Sequence, residues 1–186
     1  MKSINLSKFI QFRGLGVAMT AFSAIILSQT AFGHHDTQSL ELYPRDASDA
    51  CIADSLQIRV TVNNVSHVGL MKLELYAEED GFLEKKGRLR RVRVEALDGP
   101  QLICINVPTA GEYAIAGYHD IDGNRKLKKK WDFTPKEPYG LSNNPEIRKR
   151  RVPKFEESVF DVFENGADIT INLVDLGKKK DKNDDE

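Results

Sequence analysis

Apolar and polar residues alternate along much of the chain, and the alternation begins sharply at Ser55. In SLQIRVTVNNV, Leu56, Ile58, Val60 and Val62 are separated by Gln57, Arg59 and Thr61. In GLMKLELYAEED the apolar set is Met71, Leu73, Leu75 and Ala77, which predicts that Lys72 and Glu74 face solvent. RVRVEA repeats the pattern through Val92, Val94 and Ala96. A period of two is the mark of strands with one buried face. QLICINV and EYAIAGYH are less polar on both faces, as central strands are, and SVFDVFEN and ADITINLVDL complete the set. NNVSHVG, LDGP, PTAG and ENGA punctuate the runs with turn-forming residues. No stretch carries a sustained helical period. About seven short strands with tight turns predict an all-β fold, an antiparallel β-sandwich.

One segment breaks this rhythm. From Asp120 to about Val152 no strand is legible. A loop of roughly thirty residues is uncommon inside a compact domain and is often functional. Within it, FTPKEPYGLSNNP carries prolines, Gly140 and the pair Asn143 and Asn144, which predict an ordered, turn-rich path.

The ends of the chain are different in kind. Lys2, Lys8 and Arg13 precede the apolar run LGVAMTAFSAIILS, and no acid occurs before Asp36. The run is short for a bilayer span, which takes about 20 apolar residues. Small residues Ala31 and Gly33 then suit a cleavage site, so residues 1–33 are expected to be a cleavable signal peptide. The mature chain would have no transmembrane segment and would lie in the periplasm or outside the cell. Residues 34–54 are polar and without period, an extended lead-in. The sandwich is expected over 55–176. The tail 177–186, GKKKDKNDDE, has nothing apolar to bury and is expected to be disordered. The two cysteines, Cys51 and Cys104, are expected to pair in an oxidising compartment.

GEYAIAGYHDIDGNRKL, PKEPYGLSNNP, VPKFEESVFDVF and ADITINL together resemble the bacterial DUF2141 family over about residues 55–175. The matching positions are Tyr113, Ala114, His119, Asp120, Asp122, Asn124, Leu127, Pro135, Glu137, Gly140, Ser142 and Asn143. The resemblance implies a small exported sandwich of immunoglobulin-like or prealbumin-like type, and it implies no activity. Arg125 stands where the family has Gly, Lys128 where it has Asp, Pro138 where it has Gly, and Leu141 where it has Phe.

Asp120, Asp122 and Asn124 follow the spacing of the first ligands of a calcium loop. The rest of such a loop is missing. Arg125 occupies the position where a glycine would allow positive φ, and Lys128 and Trp131 occupy later ligand positions. Glu137 is the acid able to reach back from the long loop. The competing reading is a turn in which these side chains bond their own backbone. His119 is read as a strand-end residue or, in the alternative, as a ligand or proton carrier. If successive strands run antiparallel, His67, Asp98 and the 119–124 turn share one end of the sandwich. The candidate loop site therefore comprises His67, His119, Glu137, Tyr139, Ser142 and Asn143. No cofactor is expected beyond calcium as the alternative.

The formal net charge is −1, which exerts no global pull toward nucleic acid. The cations are nonetheless clustered, in 85–93, in 125–130, and around Arg148, Lys149, Arg150 and Arg151. Strand parity puts the first cluster and the later ones at opposite ends. The last cluster is a candidate surface for an anionic envelope component or another envelope protein. No nucleophile elbow, zinc-helix motif or phosphate loop occurs. Ser142, His119 and Asp120 form the one hydrolytic triad that can be assembled, and only if the long loop folds back. The expectation is a non-catalytic binding or structural module of the bacterial envelope, with a metal-binding or hydrolytic 119–144 loop as the alternative.

Overall fold

Alternation puts one apolar face on each strand, and burying those faces against each other gives two packed sheets. The computed structural model describes residues 44–131 and 134–177. The expected signal peptide, the first part of the lead-in and nearly all of the charged tail lie outside the described residues. The strands are β1 (Gln57–Val65), β2 (Leu70–Tyr76), β3 (Arg90–Glu95), β4 (Gly99–Asn106), β5 (Gly111–Asp120), β6 (Tyr139–Leu141), β7 (Val159–Val162) and β8 (Ala167–Asn172). One sheet has the order β4-β1-β8; the other runs β3-β2-β5, with β6 and β7 sharing the far edge of β5. Between them Ile58, Val60, Val62, Ile103, Ile105 and Ile171 meet Met71, Leu73, Leu75, Val92 and Ile115 in one core. The Tyr113 hydroxyl donates to Thr109 O at 2.9 Å and closes the turn into β5.

Two features depart from the expected sandwich. β1 and β8 pair in parallel, from Ile58 opposite Ala167 to Asn63 opposite Asn172, so the fold is not wholly antiparallel. The long loop also contains a strand. β6 pairs Ala116, Gly117 and Tyr118 with Leu141, Gly140 and Tyr139, and Tyr139 exchanges two backbone hydrogen bonds with Val174 beyond β8. Three residues around a glycine show no period, so the sequence pattern hides them. Gly140 is required here, because a Cβ would stand 2.7 Å from Ile171 Cγ2 and 2.8 Å from Asn172 O.

The lead-in crosses the outer face of β3. Asp49 N donates to Cys104 O at 2.9 Å, and Cys51 and Cys104 form a disulfide with their Cα atoms 5.3 Å apart. Asp46 then receives Arg91 and Arg93, and Asp49 receives Arg90. The cations of 85–93 are therefore not an open basic face. Arg93 is buried, and Arg88 pairs with Glu74. Among the described residues no helix is long and apolar enough to cross a membrane.

Candidate functional site

The long loop leaves β5 at Asp120 and returns into β7 at Val159, and in between it covers the outer face of the five-stranded sheet. Phe155, near its return, packs edge-on against Phe82 at 5.5 Å, which in turn packs on Tyr76 at 5.2 Å. The returning segment thus sits beside the connection that follows β2, and not at the opposite end as strand parity suggests. Lys72 and Glu74, expected to face solvent, are covered by this roof. The Lys72 ammonium lies 2.7 Å from Glu74 Oε1 and 4.7 Å over the Tyr118 ring. Glu74 also accepts from Arg88 and from the Tyr76 hydroxyl, the latter at 3.1 Å. Burial pushes the Lys72 ammonium down. Burial also works to raise Glu74, but Lys72 and Arg88 outweigh it and hold the carboxyl below its usual value.

Between this polar floor and the roof lies a cleft of about 300 Å³. Its walls include Leu83, Leu127, Pro135, Tyr139, Val152 and Pro153, with Ala116 and Tyr118 on the floor. A neighbouring hollow of about 390 Å³ shares Pro135, Tyr139, Arg151 and Val152, and adds Trp131, Arg148 and Arg150. Trp131 is 88 % exposed, with the Arg150 guanidinium 5.9 Å over its ring. The basic residues 148–151 are exposed, although Arg148 pairs with Glu146 and Arg151 with Glu157. Of the cleft residues only Tyr139, Arg148, Arg150 and Arg151 were candidates from the sequence. Lys72, Glu74 and Tyr118 lack any local signal, because a half-buried strand and a roofed strand alternate alike.

The start of the loop is a second feature. Asp120 is 1 % exposed and its Oδ2 accepts Arg125 N at 2.6 Å. That bond accompanies a positive φ of 65° at Arg125, so the left-handed turn forms there without the expected glycine. Gly69, with φ of 77°, is where the β1–β2 turn touches Asp120: a Cβ there would lie 2.0 Å from Asp120 O. The Asn124 Oδ1 accepts Lys126 N at 2.8 Å and its amide group donates to Asp122 Oδ1. Glu137 reaches this turn from the far limb of the loop. Single carboxylate oxygens of Asp120, Asp122 and Glu137 all lie within 4.8 Å of one another. Lys128 reaches both sides of this group, its ammonium on Asp122 and its backbone N–H on Glu137 Oε2 at 3.3 Å. Burial raises Asp120 above the usual carboxyl range, and the Asp122 carboxyl adds to it. Burial likewise raises Glu137, with Asp120 and Asp122 adding to it.

The remaining candidates are hydrogen-bonded within the fold. His67 Nδ1 lies 2.6 Å from Asp98 Oδ2, and His119 Nε2 donates to Val68 O at 2.6 Å, so this end of the sandwich does gather His67, Asp98 and His119. Ser142 is fully buried. Its hydroxyl accepts Ile115 N at 2.9 Å and donates to Ser158 O. Ile115 lies four positions before His119 on β5, about 13 Å at the rise of a strand. The Ser142, His119 and Asp120 triad is therefore not assembled. The Asn143 amide donates to Val159 O, and the Asn144 amide to Thr170 O at 2.8 Å, tying the roof to β7 and β8.

The model of a family described as an uncharacterised protein conserved in bacteria, DUF2141, matches residues 60–170. The chain belongs to this family. The DUF2141 match runs from β1 into β8 and takes in both the cleft and the carboxylate group. No curated protein and no solved structure matches the chain.

Proposed function

We propose that this DUF2141 protein is an exported, non-catalytic binding module of the bacterial envelope, and that its ligand is an anionic amphiphile. The carrying observation is the roofed cleft of about 300 Å³, apolar along much of its wall, together with the adjoining hollow lined by Arg148, Arg150 and Arg151. Binding sites for small molecules are concave and mostly apolar, with few polar groups fixing orientation. An acyl or aromatic body suits the Leu83, Tyr139 and Val152 walls, and an anionic head suits the arginines. Export is supported by the N-terminal charge and apolar pattern and by the Cys51–Cys104 disulfide.

Trp131, the sole tryptophan, lines the adjoining hollow and serves as the reporter. Titration with monomeric dodecyl phosphate is expected to change its fluorescence saturably. Ala116→Leu, which fills the floor, and neutralisation of Arg148 with Arg150 are each expected to weaken the response. Phosphatidylglycerol vesicles form the comparison arm. A response to vesicles alone that survives Ala116→Leu would make the arginines a membrane-surface contact and remove the cleft reading. Export is checked by the N-terminal residue of the protein recovered from the cell envelope, which is expected to be His34.

A further inference from the structure

The geometry points to a hard divalent-cation site, of the calcium class, formed by Asp120, Asp122 and Glu137 at the root of the long loop. The inference does not rest on the cleft. Three carboxylates draw together there from both limbs of the loop, with ligand oxygens within 4.8 Å of one another. Carboxylates packed this closely repel unless a cation or protons intervene, and oxygen-only donors of this kind suit calcium, magnesium or manganese.

Independent observations point the same way. Asp120 is 1 % exposed, yet among the described residues its Oδ1 has no hydrogen-bond partner. A buried carboxylate oxygen left in that state is costly, and a bound cation removes the cost. Tyr118, two positions earlier on the same face of β5, is 6 % exposed, and its hydroxyl too has no partner among the described residues.

Lys128 is the internal competitor. Its ammonium sits on Asp122 but does not engage Asp120 Oδ1. An incoming cation displaces it to solvent, where its side chain is already 53 % exposed. The site is thereby kept weaker than three carboxylates alone would make it. Bound, the ion would join the exit of β5 to Glu137, the residue just before the start of β6 by two positions, and so fasten one end of the roof.

Isothermal titration of the full chain with calcium, magnesium and manganese chlorides, beside thermal melting with and without chelator, tests this. The expected result is one ion per chain and a melting temperature that rises with the ion and falls with chelator. Lys128→Ala is expected to tighten binding about two- to fivefold, the range of an exposed ion pair. Asp122→Asn, in the exposed member of the group, is expected to abolish the heat signal while the protein still melts cooperatively. Absence of heat and of any melting shift with all three ions overturns the site. Binding that appears only in Lys128→Ala overturns it as well, since Lys128 would then be the resident cation.

Discussion

Arg93 Nη1 lies 2.6 Å from Asp46 Oδ2, with the two side chains only 9 % and 6 % exposed. The residues are far apart in the chain, one in the lead-in and one in β3. Removing one partner of a buried pair leaves the other charge stranded, at a cost of about 3 kcal/mol or more. Asp46→Ala strands two guanidinium groups, because Arg91 also donates to it at 2.7 Å. The expected outcome in urea unfolding is a loss of about 3 kcal/mol with an unchanged slope. An Asp46→Ala protein as stable as the parent would show that the ion pairs of Asp46 with Arg91 and Arg93 contribute nothing to the fold.

Acid stability follows from the same acids. Burial works to raise both Asp46 and Asp49, but Arg91 and Arg93 outweigh it at Asp46, and Arg90 with Asn106 N–H at Asp49. Both folded carboxyls therefore titrate below the ordinary value of 3.8. The unfolded chain binds protons first as the pH falls, so their stabilisation is complete above that value and is lost as pH drops through the folded pKa. Melting temperatures followed from about pH 5 to about pH 2 should fall less steeply for Asp46→Asn than for the parent.

Reduction of the Cys51–Cys104 bridge removes a cross-link over a sequence separation of 53. The chain-entropy treatment assigns such a loop about 4 kcal/mol. A melt in reductant, or of Cys51→Ser with Cys104→Ser, should fall by roughly 10 °C or more, given the size of the domain. An identical melt with and without reductant would contradict the bridge.

Ser142→Ala leaves Ile115 N without its acceptor in a fully buried position. Its expected effect is a destabilisation of about 1–3 kcal/mol, read by denaturant midpoint. An exposed serine of the same chain, Ser66, should tolerate the same change within about 0.5 kcal/mol.

The sandwich was legible because its long strands bury one face each, and burial writes a period of two into residues such as Val60, Val62, Leu73 and Leu75. What lies on the outer face was not. Lys72 and Glu74 alternate with the core set whether water or a loop covers them. Asp46 and Asp49 look like any polar lead-in until β3 brings arginines beneath them. The spacing of Asp120 and Asp122 was visible, since it lies within one turn. Glu137 was named as an acid able to reach back, but only folding of the loop onto β5 decides that it meets Asp120 and Asp122. The parallel pairing of β1 with β8 left no trace either, because nothing near Ile58 encodes a partner at Ala167.

That pairing also sets the order of events during synthesis. Among the described strands β1 is the first to emerge and β8 the last, so every contact between them closes a loop of about a hundred residues, a slow step for any chain. Until Ala167–Asn172 arrive, β1 has only β4 beside it and an open edge on its other side. The nascent protein therefore stays incompletely folded until β8 is made. That state leaves one edge of β1 open to pairing with another chain and is vulnerable to aggregation.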